Sequence, residues 1–359
     1  VWDTVVIGGG IAGLTAAAHL APLGRVLLVE GEAVTGHHSS GRSAALYEAE
    51  YGAPATVAVA RWSLTALQRL DVVSPRGLML VGLTGQDAGF EADRDQMGMD
   101  ELPLAEGLAR VPILNPETVA RLALTDRAMD LDTDRLMQAY ARSLRAHGGA
   151  LRTRAPVTAL HRRPDGWEVR AGGETVTARA VVNAAGAWAD GIAALAGLPP
   201  LGIVPHRRSI AQIPPPGGHD LRGWPMLIGV GEGWYAKPAG GRLLVSPAEE
   251  HATHPHDAWP EDEVLAEGLA RYEAAVSVPV TRVERSWAGL RSFAPDRALV
   301  LGPDPLDPAF WWCAGQGGQG FLSAPGAGAV LAERAGGPAT GLSRETLAAL
   351  APDRFRRAA

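Results

Sequence analysis

The first thirty residues constrain this chain most. Thr4-Val5-Val6-Ile7 is an apolar run that ends at Gly8-Gly9-Gly10, the pattern of a buried parallel strand. Residues 11–23 are rich in alanine and leucine and close with Gly24, which predicts a helix with a glycine stop. Residues 25–30, RVLLVE, read as a second apolar strand, so the segment is one β-α-β unit. Gly8, Gly10 and Gly13 stand in it as G-x-G-x-x-G, between strand and helix. The first glycine permits a tight turn, the second lets a pyrophosphate approach the backbone, and the third lets helix and strand pack closely. The helix N-terminus offers free N–H groups and a positive dipole end to the phosphates. Glu30 ends the second strand, where its carboxylate can accept the ribose hydroxyls of adenosine and would repel a 2′-phosphate. This order of elements predicts a dinucleotide site and argues against NADP.

The fingerprint alone does not separate FAD from NAD. Three later segments favour FAD. Ser39-Ser40-Gly41-Arg42-Ser43 can supply hydroxyl and backbone donors to a diphosphate and a flavin edge. Asn183-Ala184-Ala185-Gly186 ends a strand in small residues that allow backbone contact. Residues 315–320 (GQGGQG), with Gly315, Gly317, Gly318, Gln319 and Gly320, lead to a helix from about residue 323 and so offer a second binding N-terminus. Two glycine-rich strand-to-helix turns far apart in sequence suit a long ligand held at both ends.

The length of 359 residues suggests two domains. The formal charge is 33 − 39 = −6 with no basic block, which argues against nucleic acid as a partner. One cysteine, Cys313, excludes an internal disulfide framework and a cysteine-cluster metal site. No long apolar stretch runs without polar interruption, and none is expected to span a membrane. The strand pattern under way by Val5 leaves no room for a targeting segment, so the expected address is the bacterial cytoplasm.

Further along, a loop at residues 35–45 is expected to lead into a helix. Helical spacing recurs at 55–70, in a stretch running to about 146 behind an N-cap offered by Asp132-Thr133-Asp134, and at 264–275. Strands are expected at 77–82, 180–186 (ending in a glycine turn), 209–213, 226–230, 243–246 and 310–314, with short strands and turns between 157 and 177. The β-α-β pattern at both ends, with strand-rich insertions between, predicts an α/β chain. Its Rossmann-type nucleotide-binding domain takes in 1–76, 138–203 and 287–359. A second α+β substrate domain on a mainly antiparallel sheet takes in 77–137 and 204–286.

The stretches VVIGGGIAGLTAAAHL, GHHSSGRSAALYEAEYG, VVNAAGAWAD, PHRRS, WYAKP, WAGLRSF and GQGGQG resemble, in order and spacing, the FAD-dependent D-amino acid oxidase/glycine oxidase superfamily. Within it they look most like the bacterial D-arginine dehydrogenases. The resemblance implies a non-covalent FAD and a substrate sheet roofing the flavin. Cys313 does not stand at the motif position expected for covalent flavin attachment, and is expected to be a free, inert thiol. By position, the resemblance implies cofactor contacts at Ile11, Ala12, Gly31, His38, Ala44, Val157, Trp188 and Gly289, besides the glycines, serines, Glu30, Arg42, Ala184, Ala185 and Gly186 already named. It implies that Arg208 and Arg291 hold a substrate carboxylate, that Tyr51 and Tyr235 line the same pocket, and that the Gly318 carbonyl meets the substrate amine.

The pocket departs from the D-arginine dehydrogenases. Leu46 replaces a histidine, Glu48 a threonine and Gln319 a tyrosine, and a glutamate that favours cationic side chains aligns near Leu78. These changes predict a neutral or broad side-chain preference, unless Glu48 or Glu50 supplies a charge. The implied reaction is oxidative deamination of D-amino acids, with hydride passing from Cα to flavin N5 and an oxo acid and ammonia as products. Oxygen or a quinone- or dye-type acceptor would reoxidise the flavin. Glycine, sarcosine or another secondary amine, or an α-hydroxy acid, are the alternative donors. The chain is expected to be a monomer or small homo-oligomer.

Some assignments stay open on the residues alone. Adjacent Arg207 and Arg208 face opposite sides of a strand, and either one suits the pocket. Lys237, the only lysine, is expected to share a face with Tyr235, as a flavin neighbour or as a buried ion-pair member. His37 and His38 read as loop packing near phosphate, and His251, His254 and His256 as a surface loop with no metal.

Overall fold

The computed structural model describes residues 1–356. Five parallel strands form its nucleotide-binding side, in the spatial order Ala150–Arg152, Val26–Val29, Trp2–Ile7, Glu174–Asn183 and Phe310–Ala314. Val300–Pro303 extends this sheet antiparallel. The hairpin of Val157–Arg163 and Gly166–Ala171 runs along the first half of Glu174–Asn183. All four residues of Val26–Val29 are buried, as expected of a strand covered on both faces.

Helices Ile11–Leu20, Pro54–Arg69, Thr133–Ala146 and Gly320–Arg334 cover one face through a core that includes Leu14, Val59, Leu136 and Val330. Trp167, Phe310 and Trp312 centre the core on the other face. Ile11–Leu20 ends three residues earlier than expected, in a 3₁₀ turn, and Gly24 is extended with Asp3 packed against it. Residues 35–45 lead into no helix. Ser39–Arg42 makes one 3₁₀ turn, and the two-residue strand Leu46–Tyr47 follows.

The larger sheet orders His251–Ala252, Val204–Ile213, Arg242–Ser246, Tyr235–Ala239, Met226–Gly229, Leu78–Leu83, Val119–Thr125 and Asp100–Leu102, with Arg285–Phe293 also paired to Val204–Ile213. Its pairings are antiparallel except between Met226–Gly229 and Leu78–Leu83. Two expected boundaries fall inside elements. Residue 287 lies within Arg285–Phe293, a strand of this sheet. Residue 138 lies within helix Thr133–Ala146, whose Leu136 packs in the nucleotide-side core. No helix among the described residues is long and apolar enough to cross a membrane.

Candidate active site

A cavity of about 630 Å³ lies where the parallel sheet meets the larger one. One end is lined by Gly8, Gly10, Glu30, Gly31 and Val157, the other by Tyr51, Arg208, Tyr235, Arg291 and Gly318. Its volume and its place beyond the carboxyl ends of parallel strands suit a long ligand.

The glycine turn is built by close approach. Gly8 has φ +107°, and a Cβ there would sit 2.5 Å from the Ala184 carbonyl oxygen. A Cβ on Gly13 would sit 1.8 Å from the Gly8 oxygen, so Gly13 lets the helix press on the strand end and does not itself line the cavity. The Ile11 N–H donates to Ser40 Oγ at 3.0 Å, which brings the serine loop to the helix N-terminus. Glu30 accepts from the Gly9 N–H at 2.5 Å and the Glu32 N–H at 2.8 Å, and this fixes its carboxylate beside the turn. These residues fit the adenosine and diphosphate of a dinucleotide: an open helix terminus, a cradle that a Cβ would fill, and an acid set for a ribose.

Ile11, Ala12, His38, Ser39, Ser43, Ala44, Ala185, Gly186, Trp188, Gly289, Gly317 and Gly320 also line the cavity. Arg42 lines it too, but its guanidinium is engaged by Asp257 and by the Ala258 and Ala288 carbonyls, so it ties the serine loop to the larger sheet. Gly315 makes a left-handed turn outside the lining. His38 Nε2 donates to a Glu32 carboxylate oxygen at 3.0 Å, and with His37 these residues form a group close enough to hold an ion, one that sequence reading missed. His254 and His256 stack on each other in an exposed loop.

Strand register resolves the arginines. Arg208 pairs with Gly289 and His206 with Arg291. Directly paired residues and their i+2 neighbours share a sheet face, so Arg208 and Arg291 are diagonal neighbours on one face. Arg207 pairs with Leu290 on the other face and binds Glu261. Opposite Arg208, Gly289 adds no side chain. Arg208 is 6% exposed, and its Nε and Nη1 have no partner among the described residues. Burial lowers its pKa, and the neighbouring Arg291 adds to that.

Gly318 packs on the guanidinium of Arg291: a Cβ would lie 2.9 Å from Cζ. The Tyr51 hydroxyl donates to the Gly318 carbonyl at 3.3 Å. Burial pushes the Tyr51 hydroxyl up to about 12, so it remains a donor through neutral pH. Two arginines, a phenol and a backbone carbonyl thus converge, a donor-rich set with one acceptor beside it.

Gln319 does not line the cavity, contrary to expectation. The helix starts at Gly320, three residues earlier than predicted, and Gln319 becomes its N-cap residue. There its Nε2 donates to the Tyr51 carbonyl at 2.6 Å, and Gly52, at φ +96°, makes room for the amide. Leu46, Leu78, Met97, Met226 and Ile228 make the cavity wall apolar. Glu48 also lines it and is 5% exposed; its Oε2 has no partner among the described residues, and burial raises its pKa. Glu50 is taken up by Arg61. Lys237 is buried, 2.9 Å from Asp130 and 2.7 Å from the Ala44 carbonyl. Cys313 is buried, which pushes its thiol up to about 12.

Fold and cavity together are those of a dinucleotide-binding oxidoreductase suited to FAD. Residues 3–334 match the DAO family of FAD dependent oxidoreductases, and the chain belongs to that family, whose members bind FAD. A glycine oxidase of Pseudomonas aeruginosa is 31% identical over 92% of this chain and 93% of its own. Mitochondrial dimethylglycine dehydrogenase of Mus musculus is 26% identical over 92% of this chain, which spans 42% of that protein's length. Among solved structures, L-proline dehydrogenase from P. horikoshii superposes with a TM-score of 0.83 at 22% identity, over 99% of this chain and 98% of its own. Glycine oxidase from Geobacillus kaustophilus gives 0.80 at 22%, over 96% and 97%.

Proposed function

We propose that this protein oxidises the α-amine of small D-amino acids with apolar or neutral side chains. The observation that carries the reading is the placing of Arg208 and Arg291 on one sheet face, beside Tyr51 and the Gly318 carbonyl, in a cavity whose far end is the glycine turn. Two guanidinium groups and a phenol suit a carboxylate, which arginine binds with paired, charge-assisted hydrogen bonds. The Gly318 carbonyl suits the amine. Fixing both groups fixes Cα and chooses which C–H faces the cofactor. When bound, FAD supplies the two-electron acceptor that takes this hydrogen as hydride. The amine gives up an N–H proton, and water hydrolyses the released imine to an oxo acid and ammonia. Leu46, Leu78, Met97, Met226 and Ile228 would receive the side chain and keep water from it. The larger sheet would serve as the substrate part and the parallel sheet as the cofactor part.

Glycine or sarcosine is the second reading, favoured by the glycine oxidase relative. Anaerobic reduction of the purified yellow protein by a panel of D- and L-amino acids, glycine, sarcosine and proline decides between them. Bleaching by D- but not L-amino acids supports the first reading. Faster bleaching by glycine or sarcosine supports the second. Bleaching by none of the panel rejects both.

A further inference from the structure

Behind the arginine pair stands a carboxylate that does not line the cavity. Glu250 Oε1 lies 3.4 Å from Arg208 Nη2 and 3.8 Å from Arg291 Nη1. Both its oxygens lie 2.9 Å from Arg297 Nη2. Arg297 in turn lies over the Phe293 ring at 3.7 Å, and Phe293 packs on Gly317, next to the amine-facing carbonyl. We propose that Glu250 is a positioning residue for the carboxylate site: it bridges Arg208 and Arg291 from behind, holds them in register and partly neutralises them. The proposal rests on the reading of Arg208 and Arg291 as the carboxylate site.

The charge balance gives it content. Three arginines and one glutamate total +2; without the glutamate the total is +3, and without Arg297 it is +1. A simple anion responds fully to such changes. A zwitterionic amino acid feels them at both ends with opposite sign, and gains only if its carboxylate is correctly oriented. Glu250 therefore sets how well the site discriminates an amino acid from a bare carboxylate.

The test uses the holoenzyme, its best substrate from the panel, and acetate as a competitive inhibitor. The readout is KM for the amino acid divided by Ki for acetate. In Glu250→Gln this ratio is expected to rise about fivefold, the scale of a partly exposed ion pair. Glu250→Asp, which keeps the charge, is expected to restore most of the difference. Arg297→Met is expected to move the ratio the other way, because it leaves the carboxylate wholly to the arginine pair. Glu261→Gln removes a charge from the opposite face, on Arg207, and is expected to leave the ratio alone. An unchanged ratio in Glu250→Gln overturns the proposal, as does an equal rise in Glu261→Gln. Should Glu250→Gln fail to retain flavin, Arg297→Met decides: an unchanged or increased ratio there overturns it. Arg291→Met separates this from the underlying reading. If Arg291→Met leaves KM and acetate inhibition intact, the carboxylate site itself is misplaced. If Arg291→Met raises KM while Glu250→Gln changes nothing, only the role of Glu250 fails.

Discussion

The hydroxyl of Tyr51 donates to the carbonyl of Gly318 across 3.3 Å, joining residues 267 positions apart. On the proposed function both groups would face the substrate headgroup, so an arriving amine would compete for that carbonyl and free the hydroxyl for the carboxylate. Tyr51→Phe removes a donor to a charged group, a contribution of about 1.5–3 kcal/mol. Its kcat/KM is expected to fall roughly 10- to 100-fold with flavin content unchanged, measured by steady-state kinetics and absorbance. Gln319→Leu, which releases the Tyr51 backbone, is expected to show a weaker form of the same defect.

Arg291→Met is expected to raise KM steeply and to lower kcat as orientation is lost. Removing one member of a buried charged contact costs about 2–5 kcal/mol, or roughly 30- to 5,000-fold in kcat/KM. Rapid-reaction measurement of anaerobic flavin reduction separates weaker binding from slower hydride transfer. Kinetics equal to the parent's would remove Arg291 from the site.

Glu48 gives a pH-dependent prediction. Burial raises its folded pKa above the unfolded value, so its contribution to stability is fully present below the unfolded pKa and is lost as pH rises through the folded one. Once ionised, the buried carboxylate is therefore a cost. Glu48→Gln keeps the acceptor for the Glu50 N–H and drops the charge. Its melting temperature is expected to exceed the parent's at pH 8, with the gain shrinking steadily as pH falls towards 5. A gain that grows on acidification contradicts this account.

Gly13→Ala tests the turn. Its methyl would meet the Gly8 carbonyl oxygen at 1.8 Å, with backbone on both sides and no flexible atom to yield. The helix must move off the strand, at a cost of about 1–3 kcal/mol in overpacking. The variant is expected to purify with little flavin absorbance and a lowered melting temperature. Full flavin occupancy would mean that the turn tolerates the displacement.

The features legible in the sequence were those decided by near neighbours. The run of Thr4-Val5-Val6-Ile7 into three glycines, the cap offered by Asp132-Thr133-Asp134, which Asp132 fills by accepting from the Arg135 N–H, and the turns after Arg163 and Ala171 each carry their signal within a few residues. Helices Asp87–Met97 and Leu104–Arg110 went unseen because little of either is buried and no sustained apolar stripe marks them. The choice between Arg207 and Arg208 needed the register against Arg285–Phe293, which lies some eighty residues on. The direction of Gln319 depended on where the last long helix starts, and one turn of difference sent its amide to Tyr51 and out of the cavity. Glu250 carried no local sign at all, since its significance comes from three arginines on other segments.

The parallel sheet has a further consequence, which concerns synthesis. Trp2–Ile7 lies between Val26–Val29 and Glu174–Asn183, and Phe310–Ala314 closes the row. Trp2–Ile7 leaves the ribosome well ahead of its second neighbour, Glu174–Asn183, and further still ahead of the last of the parallel strands, Phe310–Ala314. A nascent polypeptide must therefore keep Val5 and Val6 out of misplaced pairings while the intervening residues are made, and the row of parallel strands is complete only once Phe310–Ala314 has emerged.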